Sequence, residues 1–334
     1  MRTPLLAAAV VVLAGQIGAQ AQQGWYPHEG SMLKYRVNAR FGLEPNTMPS
    51  GWVFGRVSAV SGDSKGNVYV FHRGEEADPI LVFDESGKFL RSWGRGMFGR
   101  RHGIRVDPDD NVWVMDYGDH QLFKFTPEGK LLMTLGEKGV AAEDETHFNR
   151  PADVAFTPSG DFYVADGYGN SRIAKFSKEG KFLFAWGKRG KGPGEFHTAH
   201  SVAIGPDGTV YVADRSNNRI QVFDPNGKFL KQWTHHGATQ GISFDKQGRM
   251  WILSARNHVE NETLGGLSGR IMHIDTKTGE ILGSIESPGH GLHAGVNGHI
   301  YAASMSGNVL DWAPGWLAVT NRLILLILRR IAFT

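Results

Sequence analysis

The 334-residue sequence contains no cysteine. Disulfide bonds, thiolate metal ligands and a cysteine nucleophile are therefore excluded. Any fold must stand on its apolar core. With 41% hydrophobic residues, a chain of this length has enough for one large domain or two smaller ones. A strong charge of either sign is also missing. Lys and Arg number 36 against 33 Asp and Glu, a formal charge of +3. That balance excludes a polyelectrolyte tail or a nucleic-acid arm, and the pI of about 9.0 leaves only a slight bias toward anionic ligands. Long apolar runs are absent too. Leu5–Ala14 and Leu323–Leu328 are too short for a stable membrane span. What the chain has in quantity is glycine, 44 residues, with 14 prolines. That composition suits many short strands joined by turns.

The first residues read as an export signal. Met1-Arg2-Thr3 is a short basic start, Leu5–Ala14 is the apolar segment, and Ala19-Gln20-Ala21 is an Ala-x-Ala cleavage site. Residues 1–21 are thus expected to be a signal peptide, and the mature protein to be secreted or periplasmic. Residues 22–57 form an irregular N-terminal segment carrying Trp25 and Tyr26. A strand near Leu33–Val37 is expected there, able to complete the last repeat described next.

From Ser58 onward one unit recurs. It is an apolar strand, an Asp/Gly/Asn turn, a Val-Tyr-Val strand, a polar loop, an Ile/Leu-x-x-Phe strand, a glycine turn, and a Phe-Leu-x-x-Trp strand. Ile80-Leu81-Val82-Phe83-Asp84-Glu85-Ser86-Gly87-Lys88-Phe89-Leu90 matches Ile220-Gln221-Val222-Phe223-Asp224-Pro225-Asn226-Gly227-Lys228-Phe229-Leu230, turn included. Copies start near Ser58, His102, Ala152, His200, Gln240 and His290. Six four-stranded copies of 40–50 residues predict an all-β, six-bladed β-propeller of NHL-type repeats over residues 58–312. Two stacked sandwiches would not explain the in-phase repetition. The sixth copy is incomplete or degenerate: past Tyr301 only Asn308-Val309-Leu310 resembles a further strand. Residues 313–334 read as a non-repeat tail.

Aligning the copies on Tyr69, Trp113, Tyr163, Tyr211, Trp251 and Tyr301 gives a register. Just before each first strand stand Ser58, His102, Ala152, His200, Gln240 and His290. Histidine takes every second place. In a closed six-blade ring, alternate blades lie a third of a turn apart, so His102, His200 and His290 are expected to converge at the channel mouth. Three neutral imidazoles with an open fourth position is a zinc arrangement. A lone histidine beside a strand is most often a satisfied core or surface residue; three in register are not lone. His28, His235, His236 and His293 share no such register, although His293 stands close enough to compete with His290.

Four places past the aligning aromatic come Arg73, Tyr117, Gly167, Arg215, Ala255 and Met305, with Tyr168 one further. The second strand returns to the face where the first begins, so these residues are expected to ring the same mouth. An arginine there can hold a carboxylate with two bonds. A tyrosine can move a proton where neighbouring positive charge favours its phenolate.

Phe71-His72-Arg73-Gly74, His102-Gly103, Trp113-Val114-Met115-Asp116, His120-Gln121, Asp166-Gly167-Tyr168-Gly169-Asn170-Ser171-Arg172-Ile173, and Ala213-Asp214-Arg215 with Asn218-Arg219-Ile220-Gln221 together resemble the catalytic domain of the peptidyl-α-hydroxyglycine α-amidating lyases, over roughly residues 52–304. The Asp-Gly-Tyr-x-Asn-Ser-Arg-Ile run is the specific part. The resemblance implies zinc on His102, His200 and His290, and catalytic roles for Tyr168, Arg73 and Arg215. Tyr168 would be the base, Arg73 would keep its phenolate accessible, and Arg215 would grip the carboxylate of a small or peptide C-terminal substrate. It also implies a structural calcium in the channel, with Val60 and Ile104 giving backbone carbonyls. Two positions depart from the family pattern. Gly291 stands where the calcium-binding aspartate follows the third histidine, and Pro288 stands in place of an active-site methionine. The alternative from another class is a non-catalytic, exported NHL-propeller binding protein. A lactonase-like hydrolase on the same fold would lean on acidic ligands, which the histidine register does not supply.

Overall fold

In the computed structural model, residues 31–33, 35–43, 47–255 and 269–314 are described. The expected signal peptide and nearly all of the expected tail lie outside them. Six antiparallel sheets make six blades. Blade one comprises Val57–Gly62, Val68–His72, Ile80–Phe83 and Phe89–Trp93. Blade two is Arg101–Val106, Val112–Asp116, Gln121–Phe125 and Leu131–Leu135. Blade three follows with Asp153–Phe156, Phe162–Asp166, Arg172–Phe176 and Phe182–Trp186. Blade four has Ala199–Ile204, Val210–Asp214, Arg219–Phe223 and Phe229–Trp233. In blade five, Ala238–Phe244, Met250–Ala255, Gly269–Ile274 and Ile281–Glu286 are joined by the parallel Ser31–Met32.

Blade six is where the sequence thins out. Its own copy supplies Gly291–Ala294, Ile300–Ser304 and Asn308–Pro314. The fourth strand is Tyr35–Phe41, antiparallel to Asn308–Pro314, with Tyr35 opposite Pro314 and Phe41 opposite Val309. The degenerate copy thus sits in a complete four-stranded blade. The N-terminal strand joins the two ends of the ring and covers the edge of Asn308–Pro314 that the last copy leaves open.

Burial explains the composition of each strand. Every second strand lies between neighbouring blades and is buried throughout, so Val68–His72, Val112–Asp116 and their equivalents are nearly continuous apolar runs. Outermost strands such as Phe182–Trp186 alternate instead, as one-sided strands do. Six apolar clusters fill the six blade interfaces. The one between blades six and one is built on Phe41, Phe83 and Tyr301. Burying a ring of this kind contributes about 2–3 kcal/mol.

In blades one to four the end of the second strand fixes the entry to its own blade. Asp116, Asp166 and Asp214 are fully buried. Asp116 accepts the Gly99 and Arg100 amides at 2.6 and 2.9 Å, and Asp214 accepts the His197 amide at 2.9 Å. In blade one His72 takes this place, its Nδ1 accepting the Gly55 and Gly74 amides. These bonds hold the chain just ahead of the innermost strands. Among the described residues the one helix is the short 3-10 turn Arg215–Asn217, and no helix is long and apolar enough to cross a membrane.

Candidate metal centre and channel mouth

The innermost strands line the axis, and four of them carry a β-bulge at their upper end. Pairing with the second strand skips one residue between Val57 and Ala59, Arg101 and Gly103, Ala199 and Ser201, and Thr239 and Gly241. The skipped residues are Ser58, His102, His200 and Gln240. A bulge bends the strand and re-aims its side chain. Here that turns two histidines to the axis. His290 reaches the same level just ahead of its strand, its amide donating to Ala303 O at 2.7 Å.

His102, His200 and His290 meet. Their ring centroids are 4.9–5.0 Å apart. One ligand nitrogen from each lies within 4.8 Å of the others. The opposite nitrogens are tied back to the protein. His102 Nδ1 donates to Ala152 O at 2.9 Å, His200 Nδ1 to Gln240 O at 2.7 Å and His290 Nδ1 to Ser58 O at 2.7 Å. A carbonyl can only accept, so each Nδ1 carries the proton and each Nε2 keeps a lone pair for the centre. The carbonyls come from the three alternate positions of the same register, so the six-fold repeat carries a three-fold site.

Burial pushes all three imidazoles below their ordinary range. His102 is lowered further by His290 and Arg73, His200 by Arg215 and His290. His290 is pushed down to about 3, mainly by burial, with Arg73 and Arg215 adding. The rings are therefore neutral at pH 7 and ready to ligate. Buried His200 Nε2 has no hydrogen-bond partner, the feature expected of a nitrogen set aside for a ligand. This donor set fits a metal ion of zinc's preference.

Tyr168 borders the cluster. Its hydroxyl donates to His102 Nε2 at 3.1 Å and accepts from Arg215 Nη1 at 3.1 Å. The Arg215 guanidinium also lies 5.1 Å from the tyrosine ring centroid, and its Nη1 reaches Gln240 Oε1 at 3.3 Å. Arg215 thus touches the tyrosine by both its charge and its hydrogen bond. Arg73 stands on the other side, its Nε donating to Arg101 O at 2.8 Å. Its charge is close enough to His102 and His290 to disfavour their protonation. Tyr117 packs edge-on against Tyr168 at 4.7 Å, with the Arg100 and Arg150 guanidiniums 4.9 and 5.5 Å from its ring.

Two glycines let Tyr168 come so near. A Cβ on Gly167 would lie 1.9 Å from Ala199 O, on the strand that bears His200, and one on Gly169 would strike the Asn149 amide. The Asp-Gly-Tyr-Gly run is therefore a loop pressed onto the neighbouring blade.

Below the rings is a cavity of about 30 Å³, room for one ion or water. Val60 and Ile104 line it together with Arg105, Asp153, Gly291 and Leu292. Sequence reasoning missed Gln240, Asp153 and Arg105. Gln240 was open to it, since it occupies the histidine register; the other two gave no periodic signal. Of the unassigned histidines, His235 and His236 both bond Gly279 O. His293 sits deeper in the channel, stacked on Tyr301 at 6.3 Å and outside the three-histidine group. His28 lies outside the described residues.

Comparison with known proteins agrees with this architecture. A family described as "6-bladed beta-propeller" matches residues 141–236, and one described as "NHL repeat" matches residues 102–125. A probable peptidyl-alpha-hydroxyglycine alpha-amidating lyase of Caenorhabditis elegans is 34% identical over 254 residues, covering 68% of this chain and 72% of that protein. Human NHL repeat-containing protein 3 is 35% identical over 241 residues, covering 67% and 68%. Mouse peptidyl-glycine alpha-amidating monooxygenase is 39% identical over 213 residues, which is 54% of this chain. The chain spans only 22% of that mouse protein's length.

Proposed function

Because the chain belongs to the NHL-repeat family of six-bladed propellers that includes peptidyl-α-hydroxyglycine α-amidating lyases, we propose that it is a zinc-dependent carbon–nitrogen lyase. Its substrate is a carbinolamide of the type R-CO-NH-CH(OH)-COO⁻, and its products are the amide R-CO-NH₂ and glyoxylate. The observation that carries this reading is the Tyr168 hydroxyl, 3.1 Å from both a nitrogen of the three-histidine cluster and the Arg215 guanidinium.

The reaction needs little from the protein besides proton traffic and charge. The O–H electron pair becomes the aldehyde C=O, the C–N pair leaves on nitrogen, and one proton moves from oxygen to nitrogen. His102, His200 and His290 would hold the zinc, which when bound would supply Lewis acidity at the mouth. Tyr168 takes the hydroxyl proton and can return it to the departing nitrogen. Arg215, beside the phenol and over its ring, balances negative charge as the proton moves. Arg73, across the mouth, takes the carboxylate and opposes its drift from the cluster. Preset charges of this kind stabilise charge as it develops without reorganising.

The test is metal analysis paired with turnover of α-hydroxyhippurate. The expected result is one zinc per chain and release of glyoxylate, both lost in His200→Ala. Tyr168→Phe should keep the zinc and lose about 10²–10⁴-fold in kcat. Stoichiometric zinc without turnover would instead favour the exported binding-protein reading, which relatives such as NHL repeat-containing protein 3 keep in view.

A further inference from the structure

One level below the histidines, the residue opposite each aligning aromatic is Ser61, Arg105, Ala155, Ala203, Ser243 or His293. Among these mostly short side chains, Arg105 is the one that can cross the channel. Its side chain is 17% exposed. From blade two its Nε and Nη2 donate to both oxygens of Asp153 in blade three, each at 2.7 Å. Nη1 donates to Leu292 O of blade six at 3.1 Å, and Nη2 to Ile242 O of blade five at 3.3 Å. Ser201 Oγ of blade four donates to Asp153 Oδ2 at 2.6 Å and accepts the Ile242 amide at 3.1 Å. One guanidinium thus draws on acceptors from blades three, five and six, with blade four joined through Ser201.

A carboxylate and inward carbonyls around a positive centre are the ligands that calcium takes from proteins. Here a covalently attached cation already uses them. One carboxylate balances one guanidinium. A divalent ion added beside it would leave two uncompensated positive charges against the mostly buried Arg105 and Asp153, a costly arrangement. Gly291 offers no second carboxylate. The residues present therefore do not fit the channel calcium that the resemblance implies, whatever Val60 and Ile104 could lend as carbonyls.

We propose that Arg105 is the built-in cation of the axial channel, replacing a structural divalent ion and positioning the three histidines above it. Its acceptors are placed for that task. Asp153 adjoins Ala152, whose carbonyl holds His102. Ile242 lies two residues past Gln240, whose carbonyl holds His200, and Leu292 lies two past His290. Slackening this centre slackens the strand ends that aim the imidazoles. The proposal concerns the channel and does not depend on the reaction performed at the mouth.

The test is calcium response and zinc affinity, followed by calorimetry and thermal melts on the full chain. The wild type should bind no calcium and keep its Tm in EGTA or millimolar CaCl₂. Arg105→Ala should lower Tm by about 10 °C and weaken zinc binding about 10–100-fold, as loss of an outer support does. Calcium should then raise the variant's Tm, and Arg105→Lys, which keeps the charge, should retain most of the zinc affinity. A wild type that holds one calcium per chain, or gains Tm from it, would overturn the proposal. So would an Arg105→Ala protein with wild-type Tm and zinc affinity, or one that calcium does not rescue. Should Arg105→Ala fail to fold, the wild-type calcium titration decides alone. Absence of zinc from the histidines would count against the lyase reading while leaving the calcium result to judge Arg105.

Discussion

Each imidazole at the mouth is held by one nitrogen and offered by the other, and that division governs what substitutions there should do. His102, His200 and His290 donate Nδ1–H to carbonyls 2.7–2.9 Å away. Replacing any one with alanine removes a ligand and its anchor together. Replacing Arg73 or Arg215 removes neither, so both variants should keep their zinc. Arg215→Ala should lower kcat for α-hydroxyhippurate by about 10²-fold or more, because the phenol loses its charged neighbour. Arg73→Ala should mainly raise KM, because the carboxylate loses its hold. Steady-state kinetics on both variants separates the roles, and the opposite pattern would exchange them. At this scale much was legible in the sequence. Three histidines in register on alternate copies announced a convergence, because a closed ring converts sequence period into angle. What the register could not supply was contact. That Arg215 reaches the Tyr168 hydroxyl depends on side-chain reach across a blade interface, and period says nothing about reach.

The elements that carry these residues are ordinary strands with particular ends. Bulges at Ser58, His102, His200 and Gln240 turn side chains to the axis, and the glycines flanking Tyr168 let its loop lie against the strand of His200. Gly167→Ala should therefore act through position. The Cβ meets backbone at Ala199, so the loop must lift and carry Tyr168 away from His102. A fall in kcat of about 10²-fold, with zinc content unchanged, is the expected outcome. Near-normal turnover would mean that the tyrosine's present place does not matter. The four-strand unit was readable from its alternating aromatics and glycine turns. The Arg105–Asp153 pair was not, since Arg105 spends its bonds on residues 48 to 187 positions away. No local pattern records such a partner.

For the whole molecule the decisive contact is the one that closes the ring. Tyr35–Phe41 pairs with Asn308–Pro314, and Phe41 packs edge-on against Phe83 of blade one and Tyr301 of blade six, at 5.7 and 5.5 Å. Phe41→Ala should cost about 3–5 kcal/mol, visible as a lower denaturant midpoint. An unchanged midpoint would mean the ring closes without it. The sequence pointed to a strand near Leu33–Val37 able to complete the last repeat, because that repeat lacked a fourth strand; the register, Tyr35 opposite Pro314, leaves no trace in local periodicity. The buried histidines bear on the whole molecule as well. Burial pushes His236 and His293 down to about 3, against about 6.5 in the unfolded chain. Between those values the unfolded chain binds protons that the folded one refuses. Their stabilisation is full above about pH 6.5 and is lost as pH falls toward 3. Thermal melts from pH 7 to pH 4 should show a falling Tm, reduced in His236→Gln. The central claim is the meeting of three imidazoles from blades two, four and six on one ion. Crystals grown with zinc and measured at its absorption edge test this most directly. The account predicts a single anomalous peak about 2.0–2.1 Å from all three Nε2 atoms. Zinc bound elsewhere, with no peak among the three rings, would contradict it.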